Sequence, residues 1–322
     1  MYRNFIALAV AGVLAACSAG TNPLNSSDPE AGVGTGEQPL VTEPDPDENE
    51  NADPNALNVY GEDANADLFM DNMSFDASTG ELVLNALPYD GEESVYTRDA
   101  ARSAGLARGG STFDVFTNAA GSADYYAVFR RSDSGYSQVG AVALDPANAN
   151  DRLAGGVAAQ RLRDIDNDPI GAFTFTGEYA AVRTVQADSG TDIQYVAGTV
   201  TLNVDTTQAD GANAVSGNID DRTFFDANGA LIAELTNANE VYLSLSDIDY
   251  TDWTIGSASA IASGSGTTTV TGTWDGILTG PNGEEIAGIV VLEGDQPVGI
   301  DPVTGGYTEV EVREAGGFIA AR

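Results

Sequence analysis

From Leu57 onward the chain alternates apolar and polar residues with a period of two, and the pattern is cleanest in its second half. Val196, Val200, Leu202 and Val204 fall on one face of such a run, with Thr199, Thr201 and Asn203 opposite. Phe173, Phe175, Gly177 and Tyr179 share a face of a second run, and Val270, Gly272, Trp274, Gly276 and Leu278 share a face of a third. A period of two is the mark of strands with one buried and one wet face. Eight strands are predicted, over 173–183, 195–205, 214–222, 240–248, 253–262, 268–278, 285–293 and 312–321. Joined by short turns, they favour closure into an eight-stranded antiparallel barrel, which removes the sheet edges. Glycines on the predicted inward face, beside Trp, Phe and Tyr, suit a small barrel in which large side chains need gaps opposite them. Trp274–Val291 then reads as a hairpin closed by Pro281-Asn282-Gly283, with Glu284 and Glu285 at its exit.

The first half is also β-rich. "NMSFD" and "ELVLNALPYDG" form a predicted hairpin around Ala77–Gly80, and "STFDVFTN", "ADYYAVFRRS" and "YSQVGAVAL" read as strands. Asp151–Asp164 is the best helix candidate, weakened by its glycines. Tyr125, Tyr126, Phe129 and Tyr136 form an aromatic group that reads as core packing, with a contact patch or pocket as the alternative.

The N-terminus has a different character. Arg3 precedes an apolar run, Phe5–Ala16, too short to span a bilayer comfortably. Leu14-Ala15-Ala16-Cys17 matches a bacterial lipobox, so residues 1–16 read as a signal peptide and Cys17, the only cysteine, as the lipid attachment site. Several acyl chains give stable anchoring at about 0.8 kcal/mol per buried methylene. Ser18 stands where many Gram-negative lipoproteins retained at the inner membrane carry aspartate, which leaves the outer membrane open. Residues 17–56 read as an acidic, disordered tether without apolar periodicity. As a random coil it would reach roughly 35 Å, further with charge repulsion. Calcium binding at Asp45, Asp47 and Glu48 is the alternative to a solvated spacer there.

Composition removes whole classes of function. The formal net charge is −36, every basic residue is arginine, and histidine is absent. Such a surface repels nucleic acid and anionic lipid headgroups. With no histidine and one cysteine, serine–histidine triads, cysteine–histidine nucleophiles and zinc sites of the usual ligands are excluded. Neither a GxSxG nor a Walker-type phosphate loop occurs, and acid pairs are so abundant that counting them leaves a carboxylate-only hydrolase open; no enzyme activity and no catalytic residues are expected. No cofactor-binding or metal-binding residue is assigned either. Asp164-Ile165-Asp166-Asn167-Asp168 starts like a calcium loop, but Pro169 and Phe175 stand where the motif needs glycine and glutamate. An interdomain linker fits it better. Asp247, Asp249 and Asp252 in "SDIDYTDW" read as a polar loop after a strand.

"FTFTGEYAAVR", "YVAGTVTLNVD", "AVSGNIDDR", "GTWDGILTGPNGEEIAGIVVLEG" and the closing "EAGGFIAAR" resemble the β-barrel domain of the transferrin-binding protein B family of surface lipoproteins. The resemblance covers residues 166–322 and implies that 57–165 is a handle-like domain by position. There is room for one handle–barrel lobe. Its motifs mark strands and turns, so no ligand-binding residues carry over. It implies a cell-surface binding module on the outer membrane, serving a TonB-dependent transporter in iron or nutrient acquisition or capturing a protein ligand. An adhesion or host-interaction protein and a structural envelope lipoprotein without a ligand are the alternatives. Haem is not expected to bind tightly. After processing only Met70, Met73 and the tyrosines remain as axial ligands, with Tyr125, Tyr126 and Tyr136 in the most aromatic stretch and Tyr179, Tyr195 and Tyr242 in the barrel.

Overall fold

The computed structural model describes residues 59–63, 68–87, 94–120, 123–144, 153, 155–187, 190–235, 240–263 and 269–322. The expected signal peptide, Cys17 and the expected tether lie outside the described residues.

Both halves are antiparallel β. The first contains β1 (Val59–Asp63), β2 (Leu68–Asp76), β3 (Glu81–Leu87) and β4 (Ser94–Arg98), then a helix α1 (Ala100–Arg108). β5 (Asp114–Ala120), β6 (Ala123–Arg131), β7 (Ser137–Leu144) and β8 (Gly155–Arg161) follow, and these eight strands close in order, β8 pairing with β1. The second half contains β9 (Ala172–Ala187), β10 (Gly190–Asp205), β11 (Val215–Phe225), β12 (Glu240–Ser246) and the short β13 (Ile248–Asp249). β14 (Thr254–Ser263), β15 (Thr269–Thr279), β16 (Glu285–Ile300) and β17 (Tyr307–Ala321) complete it. β17 pairs with β9, and β12 pairs with both β11 and β14, which brings this sheet round on itself. The eight strands expected from alternation are all present. β9, β10 and β16 run several residues past their predicted ends.

Alternation decides what each face meets. In the C-terminal barrel Phe175, Tyr179, Val200, Leu202, Trp274 and Phe318 belong to one buried cluster inside the ring, as their period-two spacing requires. Glycines give these rings room. A Cβ on Gly316 would lie 2.5 Å from the Tyr179 hydroxyl. Met73, Leu84, Tyr125, Phe129 and Val142 form the corresponding interior of the N-terminal barrel. A third cluster joins the two. Val139, Ala141, Val157 and Ala159 of the first barrel meet Val182, Tyr195, Ile289, Ala315 and Ile319, which point outward from the second. The barrels therefore lie side by side and share a dry face.

One expectation is corrected here. Asp151–Asp164 is not a helix; its described core is β8. Ala158 points into the barrel and Val157 and Ala159 into the shared face, so both sides of β8 are buried among close neighbours. Small residues are demanded there, and the run of Gly and Ala reads misleadingly as helical. The aromatic group also divides. Tyr125 and Phe129 fill the N-terminal barrel, Tyr126 packs against the shared face, and Tyr136 sits in the turn after β6.

A short helix ties the barrels together. Asp99 caps α1, accepting from the backbone nitrogens of Ala101 at 3.0 Å and Arg102 at 2.9 Å. Arg102 Nε donates to the Ala227 carbonyl at 2.5 Å, and Arg108 to that of Gly229 at 2.7 Å. Gly105 permits the approach, since a Cβ there would lie 2.5 Å from the Gly229 oxygen.

Candidate binding face

The hairpin turn between β15 and β16 forms the junction of the two barrels. The Pro281 carbonyl accepts from the backbone nitrogens of Asp166 at 3.0 Å and Asn167 at 2.9 Å. The Thr279 hydroxyl lies 2.7 Å from the carbonyls of both Tyr136 and Arg163. Glu285, buried, accepts from the hydroxyls of Ser134 at 2.8 Å and Ser137 at 2.5 Å in the N-terminal barrel. The acid-rich run Asp164–Asp168 is thus the linker, docked on this turn. Among the described residues no three His, Cys, Asp or Glu side chains gather to hold a metal.

Farther round the same end of the C-terminal barrel, residues 206–214 between β10 and β11 meet residues 247–253 around β13. Gly211 makes the contact possible: its φ is 70°, and a Cβ would overlap the Ile248 carbonyl. The Asp247 carboxylate accepts from the Asn213 backbone nitrogen at 2.7 Å, and the Tyr250 hydroxyl donates to the Gln208 carbonyl at 3.1 Å. Tyr250 and Trp253 rest against each other, ring centroids 5.2 Å apart. Asp210, Asn213 and Trp253 have φ of 55°, 52° and 58°. For a side chain as bulky as tryptophan that is a strained backbone.

Two shallow clefts open at this end. One, of about 530 Å³, is lined by Asp210, Asp247, Ile248, Asp249, Tyr250 and Thr254 among others. The other, of about 340 Å³, lies between Phe173, Asp205, Asn213 and Leu245. Leu245 is 55% exposed, a large apolar side chain in the open. Hydrogen bonds from the Thr207 hydroxyl and the Gln208 amide hold Asp205 below the usual carboxylate range, so it is ionised at neutral pH. Burial and the Asp205 charge push the Tyr250 phenol up, so it stays protonated. Carboxylates beside aromatic faces can receive a cationic group, by charge and by cation–π attraction.

The sequence placed Asp247, Asp249 and Asp252 in one loop, and the structure separates them. Asp247 and Asp249 line the larger cleft. Asp252 is buried, receiving the Thr254 hydroxyl at 2.8 Å, while its carbonyl accepts from Arg161 of β8. Tyr250 and Leu245 were not singled out by sequence; a tyrosine between two aspartates was the available signal.

No family profile and no curated protein matches the sequence. In structure the chain is similar to transferrin-binding protein B. That of Haemophilus parasuis, a variant, is 12% identical with a TM-score of 0.38, over 79% of this chain and 45% of that one. That of Actinobacillus pleuropneumoniae, also a variant, is 12% identical with a TM-score of 0.34, over 79% of this chain and 97% of that one. The isotype 1 protein of Neisseria meningitidis is 12% identical with a TM-score of 0.33, over 79% of this chain and 52% of that one. This chain spans less than half the length of the first. Likeness at this level fixes neither a ligand nor a function.

Proposed function

We propose that this chain is an outer-membrane lipoprotein, anchored through Cys17, that captures a protein ligand at the loop end of its C-terminal barrel. The acid-and-aromatic face around Asp249 and Tyr250 carries this reading. It suits a partner that presents arginine or lysine side chains. The Tyr250–Trp253 pair offers apolar area and a π face, and Asp210, Asp247 and Asp249 offer charge. The formal charge of −36 steers a basic partner toward the protein from a distance. The tether would let the paired barrels reach beyond the lipid surface. In the finer form of the proposal, the captured protein is handed to a TonB-dependent transporter in iron or nutrient acquisition.

The test is comparative capture. Tether-free protein and its Asp249→Asn/Tyr250→Ala variant are immobilised and exposed to the organism's medium and membrane extract, and bound proteins are identified by mass spectrometry. A basic protein retained by the wild type and lost from the variant is the expected result. The same proteins on both surfaces, or none on either, would sink the reading.

A further inference from the structure

The outer wall of the C-terminal barrel carries a band without charge. Pairing across the sheet sets Thr176, Thr201, Asn218, Tyr242, Ile261 and Thr271 in one row, from β9 through β10, β11, β12 and β14 to β15. A second row, nearer the loop end, holds Thr174, Asn203 and Ser216, then Leu245, Ser259 and Thr273. The residues that alternate with them, such as Val200, Leu202, Val241 and Leu243, belong to the barrel core, so these rows face outward. Tyr242 is 51% exposed and Leu245 55%, and the partly buried Ile261 stands directly beside Tyr242. Charge returns around the band. Glu178 and Asp220 flank Thr199 in the next row, Glu240 lies two residues before Tyr242, and Glu293 stands opposite Thr271 on β16. Asp205 and Asp247 bound it at the loop end. In a chain with 49 acidic and 13 basic residues, two rows that hold neither set this wall apart.

The band narrows the class of partner. It offers nothing to a charged ligand, and its acidic border repels polyanions, anionic lipid and a second copy of this chain. Strands about 4.8 Å apart and residues of one face about 7 Å apart along a strand make it about 24 Å long and about 14 Å high. That is less than half of the roughly 800 Å² that each partner buries in a stable protein interface. What the band does offer is hydroxyls and amides that both donate and accept, set around an exposed phenol ring and two aliphatic side chains. A sugar polymer has the matching surface, with hydroxyls at its edges and C–H groups on its ring faces. The smaller cleft, of about 340 Å³, adds relief to the second row, where Thr174, Asn203, Ser216 and Leu245 line it. The Thr174 hydroxyl donates to Asn203 Oδ1 at 3.2 Å and links the two strands there.

We propose that this band binds a neutral polysaccharide lying across the strands, one ring packed on Tyr242 and another seated in the cleft beside Leu245. Each contact is weak alone, and a repeating polymer engages several at once. The site is separate from the acidic face around Asp249 and Tyr250 and does not depend on capture of a protein there.

The experiment is affinity electrophoresis of the full chain in detergent, in native gels cast with dextran, mannan, galactan or xylan, and with polygalacturonate as the acidic control. At least one neutral polymer is expected to retard the protein, and polygalacturonate is not. Tyr242→Ala and Asn203→Ala alter exposed side chains, so both are expected to melt as the wild type does and each to weaken the retardation at least fivefold. Asp249→Asn/Tyr250→Ala is expected to be retarded as the wild type is, which separates this site from the proposed protein-binding face. No retardation by any of the four neutral polymers, equal retardation of the wild type and both band variants, or equal binding of polygalacturonate would overturn the proposal. So would a dimer in sedimentation that Tyr242→Ala dissociates, since the band would then join two copies of the chain.

Discussion

Asp275→Asn should make this protein more stable at alkaline pH. Asp275 sits on the outward side of β15, opposite Ile289 of β16 and two residues from Ile277 of the shared apolar face. It is 6% exposed. Burial raises its carboxyl from 3.8 to about 7, against a lowering hydrogen bond from Ser257. An acid whose folded pKa is raised is bound as the neutral form. Its contribution is intact below the unfolded value and is lost as pH rises through the folded one. Linkage over that interval gives an upper limit of about 4 kcal/mol, of which about 2.5 kcal/mol is lost between pH 5 and pH 8. Asparagine keeps the shape and a hydrogen-bonding group and cannot ionise. Urea unfolding of both proteins at pH 5 and pH 8 isolates this residue, since the repulsion among the remaining acids is common to the two. The variant's advantage should grow by about 2.5 kcal/mol from pH 5 to pH 8. Parallel stability profiles would refute the assignment of this carboxyl as a neutral buried group.

Four further outcomes are expected. Gly317→Ala would drive a methyl into Val139 across the shared face; it should cost about 1–3 kcal/mol, and Val139→Ala should recover part of that loss in a double-mutant cycle read by denaturant melts. Glu314→Gln removes the carboxylate that Arg183 and Arg222 share and should cost about 3–5 kcal/mol in the same assay. Residues 166–322 expressed alone should melt cooperatively but self-associate in sedimentation, because Val182, Tyr195, Ile289 and Ile319 lose their cover. Cys17→Ser should release the protein from membrane fractions or leave it unprocessed, which fractionation and intact mass would report.

The eight strands of the second half were legible because one face of most of them is wet. The second barrel's partner was harder to see. At Tyr179–Val182, Tyr195–Ala197 and Ala315–Ala320 alternation gives way to continuous burial. That loss is the trace of a second packed layer, and it reads simply as a more apolar strand when one sheet is considered alone. The helix was misplaced for a related reason. Asp99 before Ala100, with Gly109 and Gly110 after Arg108, is an ordinary set of start and stop signals. Ser103 and Gly105 weakened it, and both are there for contacts no local pattern reveals. The Ser103 hydroxyl donates to the Asp99 carbonyl at 2.7 Å and accepts from the Val115 nitrogen at 2.9 Å, and Gly105 lies against Gly229. The candidate face was legible only as a loop. Its components come from segments about 40 residues apart, joined by the Gly211–Ile248 contact.

The Gly280–Glu285 turn and the larger cleft around Asp249 and Tyr250 occupy different parts of one barrel end. Gly280–Glu285 turns the chain and receives the linker and the N-terminal barrel through Pro281, Thr279 and Glu285. Each of those contacts is made by backbone or by a buried side chain, so its demands are geometric and independent of any ligand. Asp249, Tyr250 and Leu245 lie in or beside loops whose backbone is held by Gly211, Asp247 and Tyr250 itself. Exposed carboxylates and an apolar side chain there can be replaced without disturbing the junction. The proposed binding residues can therefore change while the paired-barrel frame persists. The proposed binding face draws on residues 206–214 and 245–253, where the backbone is strained and the charge is open to solvent.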